Sequence, residues 1–102
     1  MSLFDIPFVD ELAAIRRDIH AHPELAFNEL RTADLVAREL SSYSLQVHRG
    51  LAQTGVVATL RKGSSGRAIG LRADMDALPV REQNDFSHRS TAAGLMHACG
   101  HD

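Results

Sequence analysis

Two apolar periods divide the chain. Phe8, Leu12, Ile15 and Ile19 recur at spacings of four, three and four, one face of a helix predicted over about Val9 to Ala21. Arg16, Arg17 and Asp18 fall off that stripe and read as its solvated side. Pro23 ends the helix, because a proline biases the residue before it, here His22, away from the helical region. A second stripe of Ala33, Val36, Ala37 and Leu40 predicts another helix, N-capped by Asn28 and closed by Ser41 and Ser42.

The period then changes to two. Leu45 and Val47 alternate with Ser44, Gln46 and His48; Val56, Ala58 and Leu60 alternate with Val57, Thr59 and Arg61; Ile69, Leu71 and Ala73 alternate with Ala68, Gly70 and Arg72. These patterns predict three short strands. Two glycines and two serines in residues 62–67 read as a hairpin loop between the second strand and the third. No helical pattern follows Gly66, which argues against a phosphate cradle there. Residues 78–91 are polar and irregular and predict a loop at a surface or site edge. Helix, helix, then strands define an α/β layered domain, not a bundle.

Composition narrows the classes of function. With 102 residues, 44% hydrophobic and 24% charged, the chain makes at most one ordinary globular domain. A net charge of −2 supplies no attraction for nucleic acid or an anionic membrane. Four Phe and one Tyr, with no Trp, argue against a base-stacking platform. The first residues lack a basic region, Asp5, Asp10 and Glu11 interrupt their apolar positions, and no apolar run nears the roughly 20 residues of a bilayer span. The expected location is cytoplasmic. A single cysteine, Cys99, excludes an internal disulfide and leaves a thiolate for metal or catalysis.

The candidate chemistry lies in two short segments. Asp74 and Asp76 follow the third predicted strand, and binding sites in α/β sheets gather where strands end. Carboxylates there ligate a metal or hold a ligating histidine; they serve equally as turn residues bonding their own backbone. The second segment, His97-Ala98-Cys99-Gly100-His101-Asp102, packs four donors into six positions. Positions 97, 99 and 101 of an extended stretch point to one side, and a bend at Gly100 lets Cys99 and His101 converge on one ion. A thiol with imidazoles suits zinc-like ions; a free core cysteine beside surface histidines is the plainer alternative. His20 and His22 flank the end of the first helix, where contact with its C-terminal dipole explains them at least as well as ligation. His48 and His88 stand isolated and read as surface residues. A donor cluster at the last residues leads us to expect an amino-terminal piece of a longer protein.

These segments carry a resemblance. Arg16-Arg17-Asp18-Ile19-His20-Ala21-His22-Pro23-Glu24-Leu25-Ala26-Phe27, with Glu29 and Thr32 following, resembles the opening of M20-type metal-dependent amidohydrolases. The likeness is closest to the hippurate hydrolase, N-acyl-amino-acid deacylase and auxin-conjugate hydrolase subgroup. Leu71-Arg72-Ala73-Asp74-Met75-Asp76-Ala77-Leu78-Pro79-Val80 resembles that subgroup's strand-and-loop signature, and Met96-His97-Ala98-Cys99-Gly100-His101-Asp102 resembles its metal motif. The three matches fall in the right order and cover most of the chain.

The resemblance implies a zinc-exopeptidase-like α/β fold, a mixed-sheet catalytic domain flanked by helices. Residues 1–102 would be its amino-terminal part, and a later lid domain would mediate homo-oligomer formation. It implies two divalent metal ions per full-length site (Zn, Mn, Co or Ni) and a metal-activated water attacking the amide of an N-acyl, hippurate-like amino acid. Cys99 and His101 would be metal ligands. Asp76 matches the acidic residue that supports a ligating histidine in other branches, and Asp74 sits where those branches place that histidine. His97 and Asp102 carry no assigned role. The general base would be a Glu of a Glu-Glu pair further along; neither Glu82 nor Asp85 has that context. The isolated chain is therefore expected to be inactive and, with open sheet edges, to fold poorly. Two other readings stand beside this one: an inactive remnant, and a small metal-binding module closed by His97, Cys99, His101 and either Asp102 or Asp74.

Overall fold

Helix α1 spans Val9–Ala21 in the computed structural model, which describes residues 7–102, and it coincides with the first apolar stripe. Asp10 and Glu11 in its first turn complement the helix dipole. Ile15 and Ile19 are half-buried, yet the one fully buried residue of the helix is His20. The chain leaves the helix where Pro23 requires. The His22 N–H donates to the Ile19 carbonyl at 3.1 Å, and its ring Nδ1 lies 2.7 Å from the Asp18 carbonyl, which occupies acceptors the last turn leaves open.

Helix α2 spans Leu30–Ser42. Its N-cap is Glu29, not the predicted Asn28, and no side chain caps it. The Asn28 carbonyl instead accepts the Leu30 N–H at 2.8 Å, while the Glu29 carbonyl takes the first helical bond, from Ala33 at 2.9 Å. The Glu29 carboxylate is buried and accepts the Thr54 hydroxyl at 3.3 Å. A tertiary contact thus sets the helix start, against local capping preference. After the helix Ser44 adopts φ +60° and donates its N–H to the Ser41 carbonyl at 3.0 Å, a left-handed ending that more often uses glycine.

Strands β1 (Gln46–Leu51) and β2 (Gly55–Thr59) pair antiparallel, with Val47 opposite Ala58 and Arg49 opposite Val56. The hairpin turn therefore lies at residues 52–54, not in the Gly/Ser-rich residues 62–67 expected to carry one. Ala52 and Gln53 both take positive φ there, a conformation usually given to Asn-Gly, so the turn had no local signature. Gly55 closes it because a Cβ at that position would sit 2.5 Å from the Leu51 carbonyl oxygen.

The third expected strand does not form. Residues 60–76 have no strand hydrogen bonding, and Ile69 and Leu71 are 90% and 95% exposed. Alternation makes a strand only where another strand takes its N–H and C=O groups, and no described strand lies beside this one.

The chain forms two compact units, residues up to Leu25 with Ala77–Asp102, and Ala26–Asp76. In the second, α2 packs on both strands and buries Thr32, Ala33 and Ala37. In the first, the irregular residues 78–96 are tied to α1 and to themselves. Ala77 N–H donates to the Glu24 carbonyl at 2.7 Å, and Thr91 donates its N–H and hydroxyl to the Ala21 carbonyl at 2.9 and 2.7 Å. Leu78 and Met96 exchange backbone bonds of 2.9 and 3.0 Å. The structure is α/β, with two helices and one antiparallel strand pair among the described residues. No helix among the described residues is long and apolar enough to cross a membrane.

Candidate metal centre

The His20 side chain meets a carboxylate at each ring nitrogen. Counted from Leu12 it stands at i+8, on the flank of the apolar face of α1, and it is 6% exposed. Its Nδ1 lies 3.0 Å from Asp102 Oδ2, and its Nε2 lies 3.1 Å from Glu82 Oε2 and 3.2 Å from Oε1. An ionised carboxylate only accepts, so a ring facing one on each side donates from both nitrogens and is imidazolium. Burial pulls the His20 pKa down, but the hydrogen bonds to Asp102 and Glu82, with their charges, outweigh it and leave the pKa above the usual 6.5.

Glu82 is equally committed. Its carboxylate accepts the Ser90 N–H at 2.7 Å and the Asn84 amide at 2.9 Å, besides His20. Burial pushes its pKa up, yet those hydrogen bonds and the His20 charge hold it at about 2. Asp102 is likewise held below the usual carboxylate value: burial raises it, and the His20 bond and charge more than reverse that.

Aromatic rings complete the surroundings. Phe86 and His88 stack with centroids 3.9 Å apart, and each meets the His20 ring edge-on at 5.9 Å. His97, also buried, lies 6.3 Å from it. Burial, then the charges of Arg17, His20 and Arg16, hold the His88 pKa down against Glu82. His88 is thus no isolated surface residue, and His20 does more than meet a helix dipole. The position of His20 beside Ile19 was a usable sign of burial. Nothing local marked Glu82, which lies 62 residues away.

The expected ligands stand elsewhere. Cys99 is a free, exposed thiol and His101 is exposed, one on each side of Gly100, which takes φ +80°. Neither side chain bonds to another described residue. Asp74, in the second unit, pairs with Arg72 at 2.6 Å, and Asp76 there is half-buried. Among the described residues no three His, Cys, Asp or Glu side chains group to hold a metal ion. The set of His97, Cys99, His101 and Asp102 or Asp74 therefore forms no closed site here. A thiol and an imidazole across a flexible glycine fit a borderline divalent ion in donor chemistry, but they supply only two of the three or four ligands such ions take.

The family model for peptidase family M20/M25/M40 matches residues 70–102. A hippurate hydrolase of Campylobacter jejuni is 50% identical over 92 residues, which cover 90% of this chain and 24% of that protein. An N-acyl-L-amino acid amidohydrolase of Geobacillus stearothermophilus is 47% identical over 93 residues, 90% of this chain and 25% of that one. Among solved structures, the YXEP protein of Bacillus subtilis, described as a dinuclear metal binding peptidase, superposes with a TM-score of 0.86 at 40% identity, over 92% of this chain and 27% of that one.

Residues 70–102 match that M20/M25/M40 family model, and over 90% of its length the chain is similar to the hippurate hydrolase and the N-acyl-L-amino acid amidohydrolase. It spans about a quarter of the length of the curated relatives it matches.

Proposed function

We propose that residues 1–102 are the amino-terminal part of the catalytic domain of a metal-dependent amidohydrolase, acting on the linear amide of N-acyl, hippurate-like amino acids. Cys99 and His101 are two of its metal ligands. The observation that carries this reading is the Cys99-Gly100-His101 segment, whose thiol and imidazole are exposed, unengaged and separated by a glycine at φ +80°. The names of the relatives, a hippurate hydrolase and an N-acyl-L-amino acid amidohydrolase, support the substrate class, and the dinuclear neighbour supports a metal pair of Zn, Mn, Co or Ni.

When bound, a divalent ion brings the pKa of a coordinated water to about 7 and polarises the amide carbonyl. The chain's own residues then have defined tasks. Cys99 must give up its thiol proton to ligate, and His101 must be neutral. Asp76 takes the supporting role that the resemblance gives it. Glu82 is not the general base: a carboxylate held at about 2, with both oxygens engaged, takes no proton near neutrality. The base and the remaining ligands belong to the rest of a protein of the relatives' length. That protein works in the cytoplasm, as a homo-oligomer, on a small-molecule substrate.

Hippurate hydrolysis by the protein at its full natural length tests this reading. Turnover is expected to be lost on chelation, restored by added Mn²⁺ or Co²⁺, and at least about 100-fold lower in a folded Cys99→Ala variant, beyond the effect of losing a group that merely orients a ligand. Turnover indifferent to both chelator and Cys99→Ala would overturn it.

A further inference from the structure

Residues 97–102 are held on both sides. On one side, Met96 exchanges backbone hydrogen bonds of 2.9 and 3.0 Å with Leu78. On the other, the Asp102 carboxylate meets His20 Nδ1 at 3.0 Å. Between these ties, Cys99 and His101 bond to no described residue, and Gly100 offers the backbone its widest freedom. The second tie is itself anchored. The His20 ring is 6% exposed and is gripped at Nε2 by Glu82, whose side chain is 4% exposed and accepts two further hydrogen bonds from Ser90 and Asn84. Phe86 and His88 meet the ring edge-on and limit its rotation.

We propose that His20 is a positioning residue for the metal site: anchored by Glu82 through Nε2, it holds Asp102 through Nδ1 and so fixes the backbone that presents His101 and Cys99. His20 is not a ligand, because both its nitrogens are already spent on carboxylates. It acts through Asp102, the neighbour of His101. The proposal rests on the reading of Cys99 and His101 as metal ligands.

Two amide variants separate this role from plain structural support. An Asn amide N–H reaches the place of the Nδ1 donor, and a Gln amide N–H that of the Nε2 donor. In the protein at its full natural length, Co²⁺ is titrated at the thiolate-to-cobalt absorption band, which reports Cys99 directly. His20→Gln is expected to weaken Co²⁺ binding about tenfold or more, in the range for lost ligand-orienting groups. His20→Asn, which keeps the donor to Asp102 but not the anchor to Glu82, is expected to lose less, although both variants lose thermal stability. Equal affinities, or equal losses, in the two folded variants would overturn the positioning role. Loss of the band in Cys99→Ala with an unaffected His20→Gln would overturn this proposal alone. A band unchanged in Cys99→Ala would overturn the ligand reading, and this proposal with it.

A second measurement needs no variant. Coupling between two sites is reciprocal, so a contact that favours the ion is favoured by it. Exchange of the His20 Nδ1 proton with solvent, followed by NMR, is expected to slow by about tenfold when Zn²⁺ is added, mirroring the affinity effect. Unchanged exchange at saturating Zn²⁺ would overturn the proposal.

Discussion

The two units are held by opposite means. In the unit of Ala26–Asp76, a helix lies on a hairpin and buries Thr32, Ala33 and Ala37, and the ion pair of Arg49 with Asp34 is exposed. In the other, the centre is charged: a buried imidazolium between Glu82 and Asp102, with α1 and the irregular residues 78–96 around it. Small residues let a helix approach a sheet, and sequence periodicity announces them. A buried ion network holds irregular chain in one arrangement, and the same network leads to the segment carrying the candidate ligands. The part of the molecule that carries Cys99 and His101 is thus the part whose order depends on specific charges.

The sharpest way to break this contrast is Glu82→Ala. It removes the acceptor for His20, Ser90 and Asn84 at once and leaves a buried cation half-compensated. A loss of about 3 kcal/mol is expected, typical of breaking a buried pair. Amide exchange checks it: protection should fall in α1 and residues 77–96 and persist in α2 and the hairpin. Uniform loss through both units would mean that they are not separately stabilised.

The pH dependence sharpens the same contrast. Glu82 has a folded pKa of about 2 against an ordinary 4.5, so its contribution is present above 4.5 and fades as pH falls towards 2. His20 has a folded pKa above 6.5, so its contribution is full below 6.5 and fades as pH rises through that raised value. The first unit should therefore be most protected between about pH 4.5 and 6.5, once exchange is corrected for its intrinsic pH dependence. A profile flat from pH 3 to 8 would refute the charged form of His20. The smallest effect belongs to Arg49→Ala. Removing an exposed pair is expected to change stability by less than about 1 kcal/mol in chemical denaturation, because water and salt screen it.

Much of the fold was legible. The stripe from Phe8 to Ile19 located α1 at both ends, since an apolar face and a following proline are local signals. Alternation located both strands of the hairpin to within a few residues. Its turn carries no local signal, because Ala52 and Gln53 accept positive φ under constraint from the paired strands; the Gly/Ser-rich stretch, read as the loop to a third strand, only permits a turn. The start of α2 was misplaced because Glu29 is claimed by Thr54, 25 residues away.

For the candidate site, sequence alone nominates the donors. Cys99 and His101 about Gly100, with Asp74 and Asp76 upstream, are choices of side-chain chemistry, and chemistry is written residue by residue. Only tertiary structure decided which groups meet. It joined His20 to Glu82 and Asp102 across 62 and 82 residues, fixed the charge of that ring, and left Ile69 and Leu71 without a strand to pair with. The physical reason is range. Periodicity, capping and metal affinity act within a few residues, whereas burial, pairing and proton affinity depend on whatever the folded chain brings within a few ångströms.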